Sequence, residues 1–321
     1  MSTNTKIAPF PIDATLTAVS ITYANPDLSL IADMLLPRTP TAYVFKHRST
    51  PLGDAYTPPD SKIGRTSEPT INEYGFSEVD YSCDDYGYDS LIPNIDIELG
   101  RSNPGGAYDP LGHAVMMDTK NLLLDRERRV AALVTNAASY AATNKSDLSA
   151  STGAQQFSNT NSTPINTIMT AMDGLIVRPN YGFCDRLTFS KLAQHPQILK
   201  AVNRSLAGDS GVANKMDIAG IFGLKDIFIG ESFVNSAKKG QTASLARTWT
   251  KCFGLFYRDR DSGPQNGLTF GYTAQYGTRQ SGQQPDTLRG ARGSVRTRTF
   301  ESVKEVISAY ELGYLMYNAI A

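Results

Sequence analysis

The chain has 321 residues and a mass of 34.9 kDa, enough for one or two domains with a substantial core. Its 31 basic and 31 acidic side chains cancel, so the molecule as a whole has no electrostatic drive towards nucleic acid and little net charge to oppose self-association. No stretch approaches the ~20 apolar residues needed to cross a bilayer, residues 1–10 lack the apolar run of a signal peptide, and Cys83, Cys184 and Cys252 form no CxxC pair and read as reduced, intracellular thiols.

Residues 1–42 mix short apolar runs with Pro9, Pro11, Pro26, Pro37 and Pro40, which precludes long helices and predicts an extended arm. Residues 42–47 read as a strand and residues 75–83 as a second. The Pro-, Gly- and Ser-rich stretch 49–72 between them makes a long projecting loop, either a surface insertion or a contact arm that orders against a neighbour. The clearest element begins at Asp109, an N-cap followed by Pro110 at the first helical position, and predicts a helix to about residue 143. At 1.5 Å per residue that is a rod of about 50 Å. Asp125 and Arg129 lie one turn apart for an ion pair, but the charged run 125–129 breaks any heptad pattern, favouring a spine under a sheet over a coiled coil.

Residues 144–162 read as a polar linker, and Thr163 with Pro164 starts a helix running to about Arg178. Short helices follow at about 189–195, 197–205 and 212–221, then strands at 226–229 and 249–257, a pattern that predicts a compact α/β region. The tail predicts two strands, 295–300 and 303–309, and an apolar end that docks on the body.

Catalytic motifs fail on their surroundings. Gly208-Asp209-Ser210-Gly211 copies a serine-protease tetrapeptide, but His47, His113 and His195 have none of the expected setting, and a turn explains it. Ser236 and Lys239 have Ser-x-x-Lys spacing without companion motifs. Walker-type loops, GxGxxG and HExxH are absent, and the Asn-x-Ser/Thr triplets at Asn144, Asn161 and Asn203 are chance matches. Glu78, Asp80, Asp84, Asp85, Asp89, Asp96 and Glu98 form an acidic stretch without EF-hand spacing, so a solvated face is the default. Arg289, Arg292, Arg296 and Arg298 gather the opposite charge, and a strand would put the last three on one face. Three readings stay open for them: salt bridges to the acidic stretch of another subunit, contact with nucleic acid, or a solvated edge. No cofactor or metal is expected.

Taken in order, several segments resemble the major capsid proteins of tailed bacteriophages with the HK97-type fold. They are Tyr43-Val44-Phe45-Lys46 and the return Gly75-Phe76-Ser77-Glu78; the helical run Leu122-Leu123-Leu124-Asp125-Arg126-Glu127-Arg128-Arg129; Leu187-Thr188-Phe189-Ser190-Lys191-Leu192 with His195-Pro196; Ile218-Ala219-Gly220-Ile221-Phe222-Gly223; and Gly313-Tyr314-Leu315. The resemblance spans residues 41–321 and implies an α+β capsid fold. Its parts would be an N-terminal arm (1–42), an extended loop (43–75), a peripheral domain (76–180) on a spine helix (110–143), an axial domain (181–290) and C-terminal strands (291–321) returning to the peripheral domain.

The function it implies is self-assembly into pentamers and hexamers of an icosahedral shell around double-stranded DNA, with no enzymatic activity. The subunit would assemble in the host cytoplasm and reside in the virion capsid, away from membranes, touching packaged DNA non-specifically. Partners implied are other copies of the chain, a separate scaffold protein (the chain opens directly into its arm without a charged helical prodomain), a portal and a decoration protein. Candidate intersubunit contacts are Lys46, Arg48, Lys62, Asp84, Asp85, Asp89, Arg292, Arg296 and Arg298. Two other classes compete: a soluble α/β hydrolytic enzyme using Asp209 and His195, and a non-capsid virion component such as a tail or decoration protein.

Overall fold

The structure, a computed structural model, describes residues 10–23, 29–49, 56–58, 60–69, 71, 75–102, 108–202, 211–238, 240–259 and 268–321. In chain order the helices are α1 (Ala14–Thr22), α2 (Ala32–Leu35), α3 (Asn94–Ser102), α4 (Pro110–Val134), α5 (Ala150–Gly153), α6 (Pro164–Asp173), α7 (Arg186–Ala193), α8 (Pro196–Val202) and α9 (Lys215–Phe222). The strands are β1 (Arg38–Pro40), β2 (Val44–Ser49), β3 (Ser77–Ser82), β4 (Asp84–Pro93), β5 (Lys145–Asp147), β6 (Tyr181–Asp185), β7 (Asp226–Gly230), β8 (Phe233–Asn235), β9 (Leu245–Arg247), β10 (Cys252–Phe256), β11 (Gly271–Asp286), β12 (Ser294–Ile307) and β13 (Gly313–Tyr317).

Strands β5-β13-β10-β6-β7 form a mixed sheet buried on both faces. Because side chains alternate along a strand, each central strand feeds two cores. Cys184, Phe253, Leu255 and Met316 pack with Ile168, Leu192, Ile198 and Phe222 from α6 to α9. Their neighbours Phe183, Cys252, Phe256 and Leu315 pack on the other side with Val130, Ala131 and Val134 of α4, Trp249, and the arm residues Ile31, Leu35 and Leu36. Near-continuous apolar sequence in β10 follows from this double burial.

The second sheet, β1-β11-β12-β4, carries α4. Two long strands, β11 and β12, pair antiparallel along their length, with a shift between Tyr276 and Gln280 where Gly277 adopts a φ of 65°. On this sheet stands the hairpin β2–β3, rooted by Phe45, Cys83, Tyr272, Ala274 and Val306. The N-terminal arm lies along β11. Ile12 bridges to Gly282, and the Asp13 N–H donates to the Ser281 carbonyl at 3.0 Å. Gly282 is required there, since a Cβ would fall 1.9 Å from the carbonyl oxygen of Pro11.

Several sequence expectations need correction. The long helix ends at Val134, not near residue 143, giving a rod of about 37 Å. Beyond it, side chains take over the last carbonyls: Ser139 Oγ donates to Leu133 at 2.7 Å and Tyr140 Oη to Val134 at 2.8 Å, while Asn136 opens a 3-10 turn. Asp109 does cap the start, accepting from the Leu111 N–H at 3.1 Å. Thr163 makes no side-chain cap, and α6 stops at Asp173. The expected linker 144–162 contains β5 and α5, because Lys145–Asp147 finds an open edge beside β13.

The tail forms one 14-residue strand, β12, where two were expected, and the last strand, β13, enters the five-stranded sheet. Residues 271–286, assigned from sequence to the region 181–290, pair as β11 with β12 in the α4 sheet. The predicted helix at 212–221 begins only at Lys215, capped by Asn214. Gly208, Asp209, Ser210 and Lys239 lie outside the described residues.

Gly254 of β10 is enclosed where the two cores meet, and a Cβ there would lie 2.1 Å from Cε1 of the buried Phe183. We expect Gly254→Ala to cost about 1–3 kcal/mol by overpacking, measured as a lowered midpoint in urea unfolding. An unchanged midpoint would show that Phe183 repacks freely.

Candidate assembly surfaces

Two adjacent charged residues occupy the buried stripe of α4. From Leu122 the stripe passes through Arg126 and Glu127 to Val130, Ala131 and Val134, and Arg126 and Glu127 are only 1% and 0% exposed. A buried carboxylate persists only if its oxygens are satisfied. Glu127 accepts from the backbone N–H groups of Ile31 at 3.0 Å and Ala32 at 2.8 Å, and from Trp249 Nε1 at 2.7 Å. It thereby anchors the start of α2 in the arm and fixes the indole between helix and sheet.

Arg126 reaches the same arm segment, donating to the Asp33 carboxylate, to the Leu36 carbonyl at 3.3 Å and to Thr273 Oγ1 of β11 at 3.0 Å. Asp33 also takes Arg38 Nε at 2.9 Å, Arg38 reaches buried Glu301 of β12 at 2.9 Å, and Arg279 of β11 closes on Glu301 at 3.2 Å. Arg258 donates to the Met34 carbonyl from the opposite side. The chain of charges therefore joins the arm, the long helix and the sheet. Burial works to raise the Asp33 and Glu301 carboxyls, but the flanking guanidiniums, Arg126 and Arg38 for Asp33 and Arg38 and Arg279 for Glu301, outweigh it and hold both below the usual range. Glu127 is lifted by its burial, against its three hydrogen bonds and Arg126.

The sequence-derived contact residues fall in different places. Lys46 and Arg48 of β2 both pair with Glu78 of β3, at 2.9 and 2.8 Å, and Arg48 lies over the Phe76 ring. Exposed Lys62 sits in the loop, its backbone N–H bonded to Asp60. Asp89 and Arg298 are directly opposed on β4 and β12 and make a two-pronged pair at 2.6 and 2.7 Å. Lys304 pairs with Asp84 at 2.8 Å, and Ser302 donates to Asp85 at 2.5 Å. Arg296 turns to Asp286 at 2.8 Å. Of the arginine cluster, Arg298 thus meets the acidic stretch, within one subunit as a cross-strand pair with Asp89, while Arg296 and Arg289 turn to Asp286. Arg296 and Arg298 share a strand face, whereas Arg292 precedes β12 and sits in the hairpin tip.

Of the two residues of the hydrolase reading, Asp209 lies outside the described residues and His195 is occupied otherwise. His195 is buried, with Nε2 within 3.2 Å of Ser162 Oγ and 3.1 Å of the Asn159 carbonyl, and Nδ1 accepting from the Gln197 N–H. Ser236 donates to the Ser244 carbonyl. Among the described residues no cluster of three metal-ligating side chains occurs, and no helix is long and apolar enough to cross a membrane. What sequence reading missed is the role of Arg126 and Glu127. Their signal was present, an oppositely charged pair one turn beyond Leu122 and one turn before Val130, on the stripe that must be buried.

Known proteins match this chain over nearly its full length. No family model matches. In sequence, the chain is 42% identical over 315 residues to the major capsid protein of Pseudomonas phage JBD67, covering 98% of this chain and 99% of that one. The chain belongs to the phage major capsid proteins. Its fold is similar to that of a phage-related protein from Bordetella bronchiseptica RB50, with a TM-score of 0.73 at 19% identity over 97% of this chain and 99% of that one. It also resembles the capsid of cyanophage P-SCSP1u, with a TM-score of 0.56 at 12% identity over 99% and 91% of the two chains. A virus-like particle from Pyrococcus furiosus gives 0.51 at 12% over 94% and 97%. The α+β capsid fold of the HK97 type follows. As a capsid protein the chain is structural, and the hydrolase reading and the tail or decoration reading give way to that family.

Removing the Glu127 carboxylate strands three buried donors. We expect Glu127→Ala to lose roughly 3–5 kcal/mol in denaturant unfolding, and Trp249→Phe, which removes one donor, clearly less. Acidification tests the network as a whole. Asp33 and Glu301, with ordinary values of 3.8 and 4.5 lowered by folding, stabilise the structure above those values, and this is lost as pH falls through the lower folded ones. Glu127 has the opposite sign and protonates first. Hydrogen-exchange protection at the Leu36 and Thr273 amides beside this network, relative to the intrinsic rate, should therefore hold on acidification to about pH 5 and fall below about pH 4. Protection unchanged to pH 2 would refute the assignment.

Proposed function

We propose that this chain is the shell subunit of a tailed phage, joining as pentamers and hexamers into a closed icosahedral capsid around double-stranded DNA. The observation that carries this reading is the 42% identity to a phage major capsid protein over 98% of the chain. Exposed apolar side chains on the projecting parts support it: Val44, Phe76 and Val79 on the hairpin, and Tyr56, Ile63 and Ile71 in its loop, Ile71 being 85% exposed. A monomer gains nothing from them, and a neighbouring subunit would cover them.

In this reading α4 is the spine and the β1-β11-β12-β4 sheet its peripheral domain. The five-stranded sheet with α6 to α9 faces the capsomer axis and the 43–75 loop lies on a neighbour, whereas the described part of the arm packs on β11 and α4 of its own subunit. Each contact is weak, but a loop that crosses the subunit boundary raises the effective concentration of the next contact, so the shell closes cooperatively. Packaged DNA is touched non-specifically at the inner surface, in keeping with zero formal charge. A scaffold protein, a portal and a decoration protein complete the set of partners, with assembly in the host cytoplasm.

Negative-stain microscopy of the purified chain, with and without the phage's scaffold protein, should show closed particles or rings of five and six. A chain that stays monomeric at high concentration in both conditions would sink the proposal.

A further inference from the structure

The turn joining β11 to β12 exposes an apolar side chain on a rigid support. Leu288 is 94% exposed, between Asp286 and Arg289. An exposed leucine in a mobile loop would mean little, but this tip is held in one conformation. The Leu288 N–H donates to Asp286 Oδ1 at 3.1 Å, Ser294 Oγ donates to the Arg289 carbonyl at 2.8 Å, and the Gly293 N–H to the Gly290 carbonyl at 3.3 Å. Gly290 and Gly293 supply the left-handed φ values, 80° and 74°. Asn94, at the start of α3, clamps the tip from below, its Nδ2 donating to the Arg292 carbonyl at 2.8 Å and its N–H to the Gly293 carbonyl at 3.2 Å.

The tip is also basic. Asp286 is taken by Arg296 at 2.8 Å and stands 4.0 Å from Arg289, while exposed Arg292 has no ion-pair partner among the described residues. Beside it, α3 offers the complement. On a helix Ile95 and Leu99 lie one above the other, with Glu98 on one flank and Asp96 on the other. All four are exposed, and neither acid has an ion-pair partner among the described residues. Elsewhere in the acidic stretch Glu78, Asp84 and Asp89 are consumed by Lys46, Arg48, Lys304 and Arg298 and Asp85 accepts from Ser302, while exposed Asp80 stands on the hairpin, away from the tip. At this corner an exposed leucine beside arginines thus stands next to an exposed apolar pair flanked by two acids without ion-pair partners.

We propose that the β11–β12 tip of one subunit seats on α3 of a second copy of this chain, Leu288 packing on Ile95 and Leu99 while Arg289 and Arg292 meet Asp96 and Glu98. The two half-sites are different surfaces, so every copy carries both the tip and the α3 seat that another copy needs. Fixed geometry before contact keeps the ordering cost low, and the charges set the register. The proposal rests on the shell reading and names one of its contacts.

Two charge reversals test it, Arg289→Glu with Arg292→Glu and Asp96→Lys with Glu98→Lys. Each should lower the yield of closed particles at least about ten-fold while leaving the unfolding midpoint of the subunit in place, and the four together should restore most of the yield. Full yield from either reversal, or no recovery in the combination, overturns the contact. A wild-type chain that never assembles overturns the shell reading instead. As a readout independent of yield, Arg292→Cys and Glu98→Cys subunits are co-assembled and oxidised. A disulfide-linked dimer in clear excess over either variant alone supports the contact, and no excess refutes it.

Discussion

The buried pair Arg126–Glu127 is the constraint around which the rest of the subunit is arranged. Two charges under the surface of a helix are costly, and they persist because the arm brings backbone N–H groups, a carbonyl and Asp33 to meet them. Arm and helix therefore need each other. Without the arm the helix carries stranded charges, and without the helix the arm has too little apolar sequence to fold. Trp249 extends the dependence to the five-stranded sheet, since its indole donates to the same carboxylate and packs on Phe183. A protein whose parts project beyond its body needs such a rigid junction if a pull on the arm is to reach the whole subunit.

Charge is used in two ways. Along β4 and β12 it is spent inside the subunit, in pairs such as Asp89–Arg298 that fix strand register and leave little for a neighbour. At the corner made by α3 and the β11–β12 tip it is left unspent, beside exposed apolar side chains. A balanced total of 31 and 31 conceals this division.

Much of the architecture was legible because it rests on local chemistry. Asp109 and Pro110 start the long helix as their types require, and residues 44–49 and 77–82 pair across the long loop; the Pro-punctuated arm has only short helices, but it is not the extended arm expected, since it packs on β11 and α4 of its own subunit. What was illegible depends on distant partners. The helix end at Val134 is set by Ser139 and Tyr140 folding back on its carbonyls, β5 exists because β13 offers an edge, and Arg298 finds Asp89 through a register that only the folded sheet defines. Arg126 and Glu127 looked like an interruption of an apolar pattern because their partners lie some 90 residues upstream.

The position of β13 carries a consequence for the order of folding. It lies inside its sheet, between β5 and β10, and both partners precede it in the chain. The five-stranded sheet, and with it the aromatic core around Phe270 and Tyr140 that Gly313 presses against, can close only once residues 313–317 have joined. Until then two strand edges stay open and that core stays unfilled. Closure is thus a long-range event, and its pace is set by how fast β13 finds the gap between two distant strands.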